Sequence, residues 1–167
     1  MHRLYRLKGR APDKPAAVLF FALDLALEAL PELPERTAAA LRRLLPGGVT
    51  VLLPNPAGRF PLACADDPAT LGLRVPALAG PLAPLGAVRW PVLQSSANRA
   101  GEPPARRLAD VPEPIRDDAD LLLDAGELPG TASTVVDLRA YAHDGEWSIV
   151  REGAVGADRL AQALSSP

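Results

Sequence analysis

The sequence predicts an α/β fold, a single mixed and twisted sheet flanked by helices. Three observations carry this reading. Runs with strand character and runs with helix character alternate along the chain instead of segregating into halves. Leu71-Gly72-Leu73-Arg74-Val75 alternates with period two and is closed by Pro76. Leu41, Leu44 and Leu45 recur at i, i+3 and i+4, one face of a helix. A chain of 167 residues with 48% hydrophobic content can bury one core and is too apolar to be disordered throughout. One domain over 1–167 is expected.

The elements follow in order. Residues 1–9 place Leu4, Tyr5 and Leu7 on roughly one side, the last turns of a helix closed by Gly9. Pro12 and Pro15 bracket a turn. Residues 16–21 read as a buried strand, and Asp24 is placed to cap a helix reaching Leu30. Pro34 suits a first helical position, and Gly47-Gly48 stop the helix that follows. Residues 49–53 form a β-rich run. A helix is expected within 76–91, then a short apolar strand over 91–94. Four prolines at 103, 104, 112 and 114 mark a loop around a short helix. Residues 121–123, 133–138 and 147–150 predict three further strands, and 157–164 a final helix.

Composition excludes several classes. The net charge of −2 provides no global field for gripping nucleic acid. Cys64 is the single cysteine, so no internal disulfide forms, and His2 and His143 are too isolated for a zinc site. The start lacks a signal peptide's apolar segment. The apolar stretch 16–27 is interrupted by Asp24 and is shorter than the ~20 residues a bilayer requires. A cytoplasmic location with no membrane partner is the expectation. No Gly-x-x-x-x-Gly-Lys-Ser/Thr loop, Gly-x-Gly-x-x-Gly fingerprint or Gly-x-Ser-x-Gly elbow is present.

Several short strings could carry chemistry. Lys8-Gly9-Arg10 sets a point charge and a bidentate fork around a turn-permitting glycine; it suits a triphosphate or a solvated turn. Ser95-Ser96-Ala97-Asn98 follows an apolar strand, where α/β sheets hold ligands, although Ser and Asn also cap plain turns. Arg74 lies on the strand face opposite Leu71, Leu73 and Val75, as a solvent-facing residue or a carboxylate anchor, with Thr70 just before that strand. Ser133 enters a strand from a small, hydroxylated loop, and Arg151 leaves one ahead of Glu152-Gly153. Asp124 suits a turn cap or a magnesium ligand.

In order, Lys8-Gly9-Arg10, Pro-Gly-Gly-Val-Thr-Val-Leu-Leu-Pro (46–54), Leu-Gly-Leu-Arg-Val-Pro (71–76), Ser-Ser-Ala-Asn-Arg-Ala-Gly-Glu-Pro-Pro (95–104), Ser-Thr-Val-Val-Asp (133–137) and Val-Arg-Glu-Gly-Ala (150–154) resemble the YrdC-like family, the threonylcarbamoyl-adenylate synthases. The resemblance covers residues 3–156. It implies a YrdC-like twisted mixed sheet flanked by helices, with an open cleft on one face. It implies formation of threonylcarbamoyl-AMP and pyrophosphate from L-threonine, bicarbonate and ATP, with Mg2+, for tRNA threonylcarbamoyladenosine modification. Lys8, Arg10, Ser96 and Asn98 would be the catalytic set around the phosphates. Thr70, Gln94, Pro104 and Arg151 would join them in binding ATP, while Lys14, Arg74, Ser96 and Ser133 would hold threonine. No side chain is assigned as a metal ligand. Transient partners would be tRNA and the proteins that transfer the threonylcarbamoyl group.

The family domain opens with a strand and turn containing Pro-Thr-x-Thr-x-Tyr-Gly-Leu ahead of Lys-Gly-Arg, which this sequence lacks, so the domain is expected to be N-terminally truncated, with an exposed sheet edge. Gln94 stands where a small residue is usual. The alternative to a synthase is a non-catalytic YrdC-like module that binds nucleotide or RNA, including double-stranded RNA. A carbamoyl-transfer relative fits poorly, because such chains carry cysteine-rich zinc fingers.

Overall fold

Six strands form one sheet in the order β4-β1-β3-β2-β5-β6. In this computed structural model residues 2–11 and 13–165 are described. Helix α1 (His2–Lys8) is followed by strand β1 (Ala17–Leu19) and helices α2 (Leu23–Ala29) and α3 (Glu35–Leu44). Strand β2 (Val49–Pro54), the short helix α4 (Pro61–Cys64) and strand β3 (Thr70–Arg74) come next. Strand β4 (Val92–Gln94), helix α5 (Glu113–Asp117), strand β5 (Thr134–Asp137), helix α6 (Tyr141–Asp144), strand β6 (Ser148–Arg151) and helix α7 (Ala157–Ser165) complete the chain. The pairs β1–β3 and β2–β5 are parallel, and β1–β4, β2–β3 and β5–β6 are antiparallel. The sheet is therefore mixed, as the sequence predicts.

Alternation gives the sheet two unlike faces. Val18, Val51, Leu71, Leu73 and Val136 are almost wholly buried in a core with Leu25 and Ala26 of α2, Leu41 and Leu44 of α3 and Leu160 and Leu164 of α7. Each fully buried leucine of this set stabilises the fold by about 1.5–3 kcal/mol relative to exposure. The intervening residues Ala17, Thr50, Leu52, Thr70, Gly72, Arg74 and Val135 floor a cleft. The period-two pattern at 71–75 thus reports the facing of the whole sheet, since pairing Leu73 with Val18 and Val51 puts Arg74 and Gly72 on the open side.

Most elements fall where the sequence places them, and the exceptions have physical causes. Residues 121–123 form no strand: the three leucines are 72%, 46% and 52% exposed, with no backbone partner on a sheet. A short apolar run signals burial potential but not a pairing partner, and β5 already has β2 and β6 on its two sides. The helix expected within 76–91 is a 3-10 turn over Gly80–Ala87 with Pro84 inside it, since proline removes the donor an α-helix needs. Asp24 lies in the first turn of α2 rather than capping it; Ala22 flanks the helix with no side-chain bond. Pro34 likewise precedes α3, which begins at Glu35 and ends before Pro46. The short helices α4 and α6 have no counterpart in the sequence reading. The position of Pro12 lies outside the described residues. No helix among the described residues is long and apolar enough to cross a membrane.

Candidate active site

The open sheet face forms a cleft of about 800 Å³, within the range that holds small ligands. Its floor is made small by Ala17 and Gly72. A Cβ added to Gly72 would lie 3.5 Å from the Ala17 Cα, so a side chain is sterically allowed there but would rise into the cleft. The charged side chains lining the cleft are Arg10, Arg74, Arg139, Arg151 and Asp67, four cations against one carboxylate. The protein as a whole carries a small negative charge, so this is local focusing of positive potential.

One end gathers around Arg74. Thr50 pairs with Arg74 across β2–β3 and with Val135 across β2–β5, and Val135 pairs with Arg151. The Thr50 and Ser133 hydroxyl oxygens lie 2.8 Å apart. Arg151 donates to the Ser133 carbonyl at 2.7 Å and to its Oγ at 3.2 Å. Burial lowers the pKa of Arg74, and the neighbouring charge of Arg151 adds to this. Two guanidiniums and two hydroxyls without a carboxylate between them are suited to a carboxylate or a phosphate. The chain crosses itself tightly here. A Cβ on Gly153 would come within 2.6 Å of the Ser133 C and Thr134 N atoms, and Ala154 N–H donates to the Ala132 carbonyl at 2.9 Å. Only glycine lets the segment just after β6 press on the loop that presents Ser133.

The other end lies about 13 Å along β3, four residues at the strand rise. It is lined by Thr70, Gln94, Ser95, Ser96, Arg10 and Pro104. Arg10 donates to Ser95 Oγ at 3.4 Å and to the Pro15 carbonyl at 2.6 Å. Lys8 is turned inward and is 2% exposed. Its ammonium donates to the Ser96 carbonyl and to the Asn98 carbonyl at 2.6 Å, with Ser96 Oγ at 3.4 Å. It ties α1 to the 95–98 loop across 88 residues of sequence. Burial, with Arg10 in second place, pulls its pKa below the usual lysine value. Asn98 is 8% exposed; its amide donates to the Arg99 and Glu102 carbonyls at 2.9 and 2.6 Å, leaving Oδ1 buried and unpartnered.

The structure therefore brings Arg10, Thr70, Arg74, Gln94, Ser96, Pro104, Ser133 and Arg151 to one cleft, with Arg151 at the Arg74 end, away from the Thr70, Gln94 and Pro104 it was grouped with as a nucleotide residue. Lys8 and Asn98 sit just behind its wall. Lys14 is exposed and outside the lining; its carbonyl accepts the Tyr5 hydroxyl at 2.7 Å. Asp124 accepts the Gly126 N–H at 2.8 Å in an exposed turn. Thr50, Gly72, Arg139 and Asp67 are cleft residues given no role by the sequence. Thr50 could have been found, because it faces the same side as Arg74 once β2 is paired with β3. Gly72 stood in the quoted run without a role. Arg139 gives no sequence signal, since it lies beyond β5 on no periodic face. Cys64 also borders the cleft, but burial raises its thiol pKa, outweighing the Asn55 Nδ2 donor 3.4 Å from the sulfur, so it is not a poised nucleophile.

Fold and cleft together define an open α/β sheet with one helix-packed face and one arginine-lined face whose charge suits small anionic ligands. The chain belongs to the Sua5/yciO/yrdC family: a family model described as "Telomere recombination" matches residues 1–153. A threonylcarbamoyl-AMP synthase of Pyrococcus abyssi is 26% identical over 165 residues, 97% of this chain and 46% of the relative. The chain thus spans about half the length of that relative. The crystal structure of P. abyssi Sua5 complexed with L-threonine superposes with a TM-score of 0.79 at 24% identity, covering 98% of this chain and 47% of that one. The solution structure of MTH1692 from Methanobacterium thermoautotrophicum is 31% identical with a TM-score of 0.60, covering 94% and 72%.

Proposed function

We propose that this chain is an L-threonylcarbamoyladenylate synthase domain, a nucleotidyltransferase that uses ATP, L-threonine and bicarbonate. The observation that supports this most is the division of one cleft into two polar ends across a floor of small residues. Arg74, Thr50 and Ser133 suit an amino-acid carboxylate, and Arg10, Ser95, Ser96 and Thr70 suit a nucleotide. The family relationship supplies the pairing of those two ligands.

The chemistry needs position more than a protein nucleophile. The threonine amine takes up carbon dioxide derived from bicarbonate to give a carbamate. A carbamate oxygen then attacks the α-phosphorus of ATP, and pyrophosphate leaves. Holding the two reactants side by side removes much of the entropic cost, and fixed cations stabilise the charge that builds on the phosphates. Arg74 and Ser133 would orient the carboxylate so that the amine faces the nucleotide end. Arg10, with Ser96, would hold the phosphates, while Lys8 keeps the Ser96 and Asn98 carbonyls drawn back from them. Gln94 and Pro104 would border the nucleoside.

The residues fit a magnesium ion brought in on the triphosphate. The buried, unpartnered Asn98 Oδ1 and the Ser96 hydroxyl are hard neutral oxygens, suited to an ion that keeps several waters and takes its remaining ligands from phosphate. Such an ion would neutralise phosphate charge during the transfer.

A second reading, a nucleotide- or RNA-binding module without catalysis, draws on Lys8, whose ammonium is spent on loop carbonyls instead of facing the cleft. Pyrophosphate release by this chain with ATP, bicarbonate and magnesium separates the two. The synthase reading expects release that requires L-threonine and is lost in Ser96→Ala. Nucleotide binding without threonine-dependent release would support the binding module instead.

A further inference from the structure

Arg139 lies in the cleft lining but in none of the strings that mark the family resemblance. Its guanidinium is held by Asp137: Nε donates to Oδ1 and Oδ2 at 3.0 and 3.1 Å, and an Nη donates to Oδ2 at 2.6 Å. The Asp137 carboxylate is only 18% exposed, and it also accepts the Arg139 backbone N–H at 3.0 Å. A fork gripped in this way has few free rotamers. Its remaining Nη donates to Thr70 Oγ1 at 3.1 Å.

That last bond has a polarity. Arginine can only donate, so Thr70 Oγ1 must accept. No other hydrogen bond of this hydroxyl occurs among the described residues. Its one proton is therefore left for a group entering the cleft. With Arg139 on one lone pair, the hydroxyl turns its proton away from the guanidinium, where an unrestrained threonine hydroxyl would be free to rotate.

We propose that Arg139 is a positioning residue of the nucleotide end, in which the chain Asp137–Arg139–Thr70 fixes the Thr70 hydroxyl as a donor to an acceptor atom of the bound nucleotide. The acceptor is a ring nitrogen, a ribose oxygen or a phosphate oxygen. The inference rests on the nucleotide reading of this end and deepens it. Asp67 stands beside the relay, also lining the cleft, and its charge acts on Arg139.

Calorimetric titration of a non-hydrolysable ATP analogue and, separately, of L-threonine tests this on the wild type, Arg139→Gln, Thr70→Val and the double variant. Each single change is expected to weaken analogue binding about tenfold, the value of one hydrogen bond to a charged or fixed partner. The double change is expected to cost no more than either single one, because both remove the same link. L-threonine affinity stays constant, and Thr70→Ser, which keeps the hydroxyl, keeps analogue affinity. Arg139→Lys preserves charge opposite Asp137 without the fork and serves if Arg139→Gln does not fold; it is expected to lose analogue affinity similarly. Full affinity in the Arg139 variants, additive losses in the double variant, or an equal fall in L-threonine affinity overturns the relay while leaving the nucleotide reading intact. A wild type that binds no analogue overturns both.

Discussion

The floor of the cleft and its rim are built on different physics. The floor is the open face of β1, β2, β3 and β5, so each of its side chains is placed by a register that the buried face enforces. Shifting β3 by one residue would bury Arg74 and expose Leu73. The rim is made of irregular segments, 95–107 and 118–133, held by scattered bonds such as Leu128 N–H to the Arg106 carbonyl at 2.8 Å and Arg107 to Glu127. Leu121 and Leu128 stand exposed on it. Strand register fixes Thr50, Thr70 and Arg74 on the floor, the loops at the strand ends add Ser96 and Ser133, and the rest of the rim can vary in shape with little effect on the core.

This contrast can be broken from several directions. Leu73→Ala removes a fully buried floor-strand residue and should cost about 2–5 kcal/mol in denaturant unfolding. Gly153→Ala forces the segment just after β6 off the Ser133 loop and should cost about 1–3 kcal/mol by the same measurement. It should also weaken L-threonine binding, because Ser133 moves. Gly72→Val has room for its Cβ, so the melting temperature should change little while the cleft loses both ligands. Acid reads the Asp137–Arg139 pair. Arg139, chiefly through its side-chain bonds, holds the Asp137 carboxyl below its ordinary value. The pair therefore stabilises the fold above the unfolded carboxylate range, near pH 4, and that contribution is lost as pH falls through the folded value. Asp137→Asn should flatten that part of the stability profile. The smallest effect belongs to the rim: Leu122→Ser, at an exposed site, should stay within about 0.5 kcal/mol of wild type.

The same contrast explains what the sequence discloses. The floor is legible because its periodicity is forced: Leu71, Leu73 and Val75 point one way, so Arg74 points the other. Ser95, Ser96 and Ser133 are legible as small polar residues at strand ends. The rim is not, because exposed leucines at 121–123 carry the same local signal as a buried strand and differ only in lacking a partner. Lys8 was legible as a cation near phosphate-sized chemistry, but not its inward turn, which depends on carbonyls 88 and 90 residues away. Arg139 depends on Asp137 and on Thr70 across 69 residues, a juxtaposition no local pattern encodes.

Two ligands sharing one cleft at opposite ends of β3 is the arrangement from which the proposed chemistry follows. Titrating L-threonine and a non-hydrolysable ATP analogue separately into Arg74→Ala and Arg10→Ala tests it most directly. A crossed result is expected: Arg74→Ala loses L-threonine affinity by about tenfold or more and keeps the analogue, and Arg10→Ala does the reverse. Equal losses of both ligands in both variants, or no binding of either ligand to the wild type, would contradict it.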